Sequence, residues 1–115
     1  VTPEALRDLV VDALEDLKGR DIVTLPVAHL TDITDYMVIA SGTSNRHVKS
    51  LVDHLVETTK AVAHPPRGVE GRETNAWVLV DLGDVLVHVM QAETRAFYDL
   101  ERLWREIPTD SESRV

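Results

Sequence analysis

Hydrophobic positions along the chain follow two rhythms, one of period 3.6 and one of period 2, and each change of rhythm marks a new element. Leu6, Leu9, Val10, Ala13, Leu14 and Leu17 recur at helical spacing. They follow Thr2-Pro3-Glu4, which supplies a hydroxyl cap, a first-turn proline and an acid near the positive end of the dipole. Gly19 closes this first predicted helix. Ile22-Val23-Thr24-Leu25, bounded by Gly19 and Pro26, reads as a short strand. Tyr36-Met37-Val38-Ile39-Ala40 reads as a strand buried on both faces. It runs into Ser41-Gly42-Thr43-Ser44-Asn45-Arg46, where the glycine permits a tight turn and Thr43 or Ser44 can cap a second helix. That helix carries Val48, Leu51, Val52, Leu55, Val56 and Thr59 on one face and ends at His64-Pro65-Pro66.

Gly68 to Glu73 is a predicted loop that can begin with a very short strand. Ala76–Leu82 and Val85–Met90 then flank Gly83-Asp84, the pattern of a β-hairpin. Ala96, Phe97, Leu100, Leu103, Trp104 and Ile107 repeat as one last helix, stopped by Pro108, and residues 109–115 are expected to form a polar, disordered tail. The prediction is a single domain over 1–108 in the α/β (α+β) class: a small mixed β-sheet packed with about three helices.

The hairpin is the most informative segment. Alternation puts Val78, Val80 and Leu82 on one face with Val85, Val87 and Val89, an aliphatic set that reads as core. The opposite face carries Trp77, Leu79 and Asp81 with Leu86, His88 and Met90, a mixture suited to a binding surface. Two arrangements satisfy this pattern. Helices on both faces would make every one of these residues core. One uncovered face would instead leave an apolar patch of Trp77, Leu79, Leu86 and Met90 rimmed by Asp81, Asp84 and Glu93.

Charge bears on the choice of partner. Twenty acidic residues against twelve basic ones give a net charge of −8, which opposes phosphate at long range and favours a basic protein over DNA or RNA. The chain has no cysteine, which excludes disulfides and thiolate chemistry. It has no apolar run long enough to span a bilayer, and Val1-Thr2-Pro3-Glu4 lacks signal-peptide character, so a cytoplasmic location without membrane contact is expected.

Candidate chemistry is sparse. The Ser41–Arg46 turn resembles a phosphate cradle at a helix start, yet no Gly-Lys-Ser/Thr follows, and ordinary capping explains it. Asp81 and Asp84 could pair on a metal but flank a hairpin turn, where a turn acid and a strand-end acid suffice. His47 and His54 lie seven apart with no third ligand in helical register, and His88 in its valine-rich strand reads as a hydrogen-bonded structural residue. No catalytic, metal or cofactor site is expected.

Two long segments resemble the Iojap / ribosomal silencing factor (RsfS) family. One is Asp35-Tyr36-Met37-Val38-Ile39-Ala40-Ser41-Gly42-Thr43-Ser44-Asn45-Arg46-His47-Val48. The other runs from Trp77 to Met90 and continues through Glu93, Arg95, Phe97-Tyr98, Leu100-Glu101 and Leu103-Trp104, with Gly68-Val69-Glu70-Gly71 as the connecting loop. The resemblance implies a nucleotidyltransferase-like fold reused for binding, since Asp81 and Asp84 stand one residue too far apart for that enzyme class's acid pair. It also implies a translational repressor, not an enzyme, that binds the large ribosomal subunit through ribosomal protein fourteen and blocks subunit joining. On that view Trp77, Leu79, Met90 and Tyr98 supply apolar contact, while Glu70, Asp81 and Asp84 pair with partner cations. The alternatives are a nucleotide-binding or nucleotidyltransferase-like enzyme using the Ser41–Arg46 turn, and a homodimer burying the open face.

Overall fold

The computed structural model describes residues 1–106. The expected end of the last helix at Pro108 and the tail over 109–115 lie outside the described residues. Helix α1 (Pro3–Asp16) begins where the sequence places it, with the Thr2 hydroxyl accepting the Ala5 N–H at 3.0 Å. Strands β1 (Arg20–Pro26) and β2 (Tyr36–Gly42) follow, then α2 (Asn45–Ala61), capped by Ser44 through the His47 N–H at 3.1 Å. Next come β3 (Gly68–Glu70), β4 (Trp77–Asp81), β5 (Val85–Gln91) and two short helices, α3 (Ala92–Tyr98) and α4 (Leu100–Glu106).

The five strands form one mixed sheet in the order β1-β2-β5-β4-β3, with β2 and β5 parallel and the other neighbours antiparallel. The predicted hairpin is β4–β5, closed by Gly83 at φ +85°. The predicted short strand after Pro66 is β3, an edge strand of three residues.

Both long helices pack on one face. Leu6, Val10 and Leu14 of α1 and Val48, Leu51, Val52 and Leu55 of α2 meet Val38, Ala40, Val78, Val80, Val87 and Val89, all fully or almost fully buried. Each aliphatic side chain so removed from water contributes roughly 1.5–3 kcal/mol against the entropy of ordering, and this layer is the main source of stability. A close approach holds α2 down: a Cβ on Gly42 would lie 2.7 Å from Val48 Cγ2.

The other face is only half covered. Its β1–β2–β5 side carries a smaller cluster of Leu25, Val27, Met37, Ile39 and Met90, against which Leu100 and Trp104 of α4 pack. Two expectations change here. The last helix is not continuous: Asp99 adopts the left-handed conformation (φ 48°, ψ 48°) and splits it into α3 and α4. The break redirects the chain so that Leu100 and Trp104 reach the sheet, while Phe97 (81% exposed) and Leu103 (61%) face solvent instead of a core. Met90, expected on the open patch, is fully buried because it lies within the α4-covered half.

A candidate docking surface on the open half of the sheet

Strand register sets which side chains meet on the uncovered half. Leu79 of β4 pairs with His88 of β5 on one side and Glu70 of β3 on the other. One step along, Asp81 pairs with Leu86 and Gly68; one step back, Trp77 pairs with Met90. Alternation therefore presents Trp77, Leu79, Asp81 and Glu70 on the face opposite the two long helices. Trp77, Leu79, Asp81 and Leu86 are half-buried and Glu70 is exposed.

Two adjoining grooves occupy this strip. One, of about 330 Å³, is lined by Glu70, Gly71, Trp77, Leu79 and His88. The other, of about 220 Å³, is lined by Arg67, Gly68, Glu70, Leu79 and Asp81. Glu70 and Leu79 belong to both, so the strip is continuous, with Leu79 and Trp77 as its apolar part and Glu70, Asp81 and Arg67 as its charged border. Asp81 is oriented by its own turn, its Oδ1 accepting the Gly83 N–H at 2.9 Å.

An aromatic chain closes one end. The Trp77 indole N–H donates to His88 Nδ1 at 2.9 Å, and its ring lies 4.9 Å from that of Tyr98, which meets Phe97 edge-to-face at 5.0 Å. Burial, with no compensating charge, lowers the His88 pKa from 6.5 to about 4, so the imidazole is neutral at physiological pH. Gly71 makes the wall possible: at φ +97° it passes so close to Trp77 that a Cβ would stand 2.1 Å from the Trp77 carbonyl oxygen.

Of the seven residues singled out from the sequence, five come together: Glu70, Trp77, Leu79, Asp81 and Tyr98. Asp84 lies at the hairpin turn, exposed, lining a separate depression with Ala63, His64, Pro65 and Arg67. Met90 is in the core. Sequence reasoning put His88 on this face but missed its bond to Trp77, and it missed the parts played by Gly71 and Phe97. The last had a signal: neighbouring Phe97 and Tyr98 lie about 100° apart around a helix, so both cannot face one core.

The Ser41–Arg46 turn is already occupied by the protein's own groups. The Thr43 N–H donates to His47 Nδ1 at 2.9 Å, the His47 N–H to Ser44 Oγ, and the Val48 N–H to the Ser44 carbonyl at 3.0 Å. Because Nδ1 accepts, Nε2 of neutral His47 bears the proton, which it donates to the Leu17 carbonyl at 2.8 Å, tying α2 to the end of α1. Ser41 is buried and its Oγ accepts from Arg95 Nη1 at 2.9 Å. Arg95 in turn makes a two-point contact with the Glu101 carboxylate at 2.7 and 3.2 Å. The turn thus serves as a structural junction, its Thr43 amide and Ser44 hydroxyl engaged by His47 and its Ser41 hydroxyl by Arg95. Among the described residues, no helix is long and apolar enough to cross a membrane.

Comparison with known proteins matches this arrangement. The sequence profile of the family described as "Ribosomal silencing factor during starvation" matches residues 2–115. The chain is 43% identical over 102 residues to a ribosomal silencing factor of Zymomonas mobilis, covering 89% of this chain and 77% of that one. It is 39% identical over 100 residues to the mouse protein "Mitochondrial assembly of ribosomal large subunit protein 1", covering 84% of this chain and 44% of the mouse protein. A crystal structure of a Chromobacterium violaceum protein superposes with a TM-score of 0.90 at 41% identity, covering 95% of this chain and 92% of that one. With the half-covered mixed sheet and this agreement along nearly the whole chain, the protein belongs to the ribosomal silencing factor (RsfS) family.

Proposed function

We propose that this chain represses translation by docking the open half of its sheet onto large-subunit ribosomal protein fourteen, which blocks association of the small and large ribosomal subunits. The observation that carries this reading is the bare strip over β3 and β4, with Leu79 at its centre, Trp77 at one end and Glu70 and Asp81 on its rim. A compact apolar patch with a charged border suits a protein interface, and a net charge of −8 favours a cationic neighbour. The silencing-factor name of the bacterial relative and the large-subunit name of the mouse relative support a ribosomal partner of that kind. Trp77, Leu79 and Tyr98 would supply apolar contact and Glu70 and Asp81 charge pairing; Asp84, at the turn, would add only outlying attraction.

Sedimentation with isolated large subunits, followed by addition of small subunits, tests the reading. The wild-type chain is expected to travel with the large subunit and to reduce the joined fraction. Leu79→Arg, at a half-exposed position, is expected to fold and to lose both effects. A wild-type chain that does not sediment with the subunit, or a Leu79→Arg chain that binds as well as wild type, would overturn it.

A further inference from the structure

The groove lined by Glu70, Gly71, Trp77, Leu79 and His88 carries a hydrogen-bonding specification that apolar docking leaves unused. An indole nitrogen can only donate, so the bond from Trp77 Nε1 requires His88 Nδ1 to be the unprotonated nitrogen. A neutral imidazole then has its proton on Nε2. His88 is only 8% exposed, and its Nε2 has no hydrogen-bond partner among the described residues. Those residues contain no fully buried side-chain nitrogen or oxygen without a partner, so this N–H is not sealed off from solvent, and His88 lines the groove. Among the described residues, Glu70 is the one carboxylate lining the same groove and no cationic side chain lines it, Arg67 lying in the adjoining groove.

We infer that this groove recognises a cationic side chain together with an adjacent neutral carbonyl, Glu70 pairing with the cation while the His88 Nε2–H donates to the carbonyl. The reading rests on the docking surface proposed above and specifies what that surface selects. An acidic acceptor would stand beside Glu70 and be repelled, and a phosphate would meet both that carboxylate and a net charge of −8. A lysine or arginine on an extended segment brings both groups at once: its own backbone supplies the carbonyl, and its aliphatic stem can lie on Leu79 and against the Trp77 ring. The occupant is therefore a basic, extended segment of the docked protein. His88 is a specificity residue in this scheme, its tautomer set by Trp77.

The free protein, labelled with ¹⁵N-histidine, should show His88 with a protonated Nε2 and an unprotonated, hydrogen-bonded Nδ1. Adding isolated ribosomal protein fourteen should shift the Nε2–H resonance; adding protein-free large-subunit RNA should not. His88→Gln keeps an acceptor for the indole and a donor for the groove, and should bind within about threefold of wild type. His88→Leu removes both and should bind about tenfold or more weakly, the scale of one lost hydrogen bond at an interface. Glu70→Gln should weaken binding at low salt and less so at high salt. Should His88→Leu fail to fold, the Nε2 resonance and Glu70→Gln decide the matter without a change at position 88.

The inference is overturned, with docking intact, if wild type binds and Leu79→Arg does not, yet Glu70→Gln and His88→Leu bind within twofold of wild type and the Nε2–H does not move. A shift produced by RNA would overturn the protein segment as occupant. Failure of the wild-type chain to bind ribosomal protein fourteen would remove the docking reading itself, and this one with it.

Discussion

The indole of Trp77 and the imidazole of His88 share one hydrogen bond, Nε1–H to Nδ1 at 2.9 Å, with ring centres 5.8 Å apart and planes tilted by 52°. Trp77 is thereby fixed at the border of the open strip, where it also packs on the Met90 cluster and against Tyr98 of α3. His88 must stay neutral for the bond to survive, because a proton on Nδ1 would set two donors against each other. Burial lowers its pKa from 6.5 to about 4. The folded protein therefore binds this proton less readily than the unfolded chain does. Stability from this group is complete above pH 6.5 and falls progressively between pH 6.5 and pH 4, by a total on the order of 3 kcal/mol. Urea unfolding of wild type and His88→Gln across that range should show the wild-type loss and a flatter profile for glutamine. Equal slopes would remove His88 as the source.

Arg95 ties three elements together: its guanidinium bridges Ser41 at the end of β2 and Glu101 in α4, from a position in α3 that is 9% exposed. Replacing it by alanine strips the buried Ser41 hydroxyl of its donor and releases the Glu101 carboxylate from a two-point contact. A loss of about 2–3 kcal/mol is expected. Arg95→Lys should recover only part of it, since one ammonium cannot match the two-point geometry. Hydrogen exchange should quicken in α4 before it does in α2; uniform quickening would contradict a local role for Arg95.

Gly71→Ala places a methyl group 2.1 Å from the Trp77 carbonyl at a backbone angle that L-residues rarely adopt. Steric overlap and the φ penalty act together, so a loss of roughly 2 kcal/mol or more is expected, larger than for most substitutions in exposed loops. Gly68→Ala, where a Cβ meets nothing within 4 Å, should be near neutral. Thermal melts of the two variants provide the comparison.

How far the chain could be read beforehand depends on which interactions set each feature. Thr2, Ser44, Gly83 and the period-2 valines act within a few residues of themselves, and the elements they signal form where expected. The division of β4 into a core face and a mixed face was equally legible, since alternation alone decides it. Met90 and Phe97 were not, because their burial depends on where α4 lies, and that depends on Asp99 adopting φ 48°. Aspartate tolerates this conformation without demanding it, so no glycine or proline announced the break. The Trp77–His88 bond was hidden for another reason: the two residues stand eleven apart and meet only through the diagonal register of β4 on β5.

Leu79 and Val80 offer the sharpest comparison of the two sheet faces, because one substitution at neighbouring positions should give opposite results. Val80 is fully buried, pairs with Val69 and Val87, and sits in the layer beneath the long helices. An arginine there would have to bury an unpaired guanidinium in an aliphatic layer, and Val80→Arg is expected to cost at least about 4 kcal/mol and to abolish folding. Leu79 points the other way, with Glu70 directly across the strand pair. An arginine at 79 keeps its head in water and gains a cross-strand acid, so Leu79→Arg should change stability by less than about 1 kcal/mol. Far-ultraviolet circular dichroism and urea titration of the two variants would read this directly. A Leu79→Arg chain that unfolds as Val80→Arg does would mean that the β3–β4 strip is core, and the docking surface would have to be sought elsewhere.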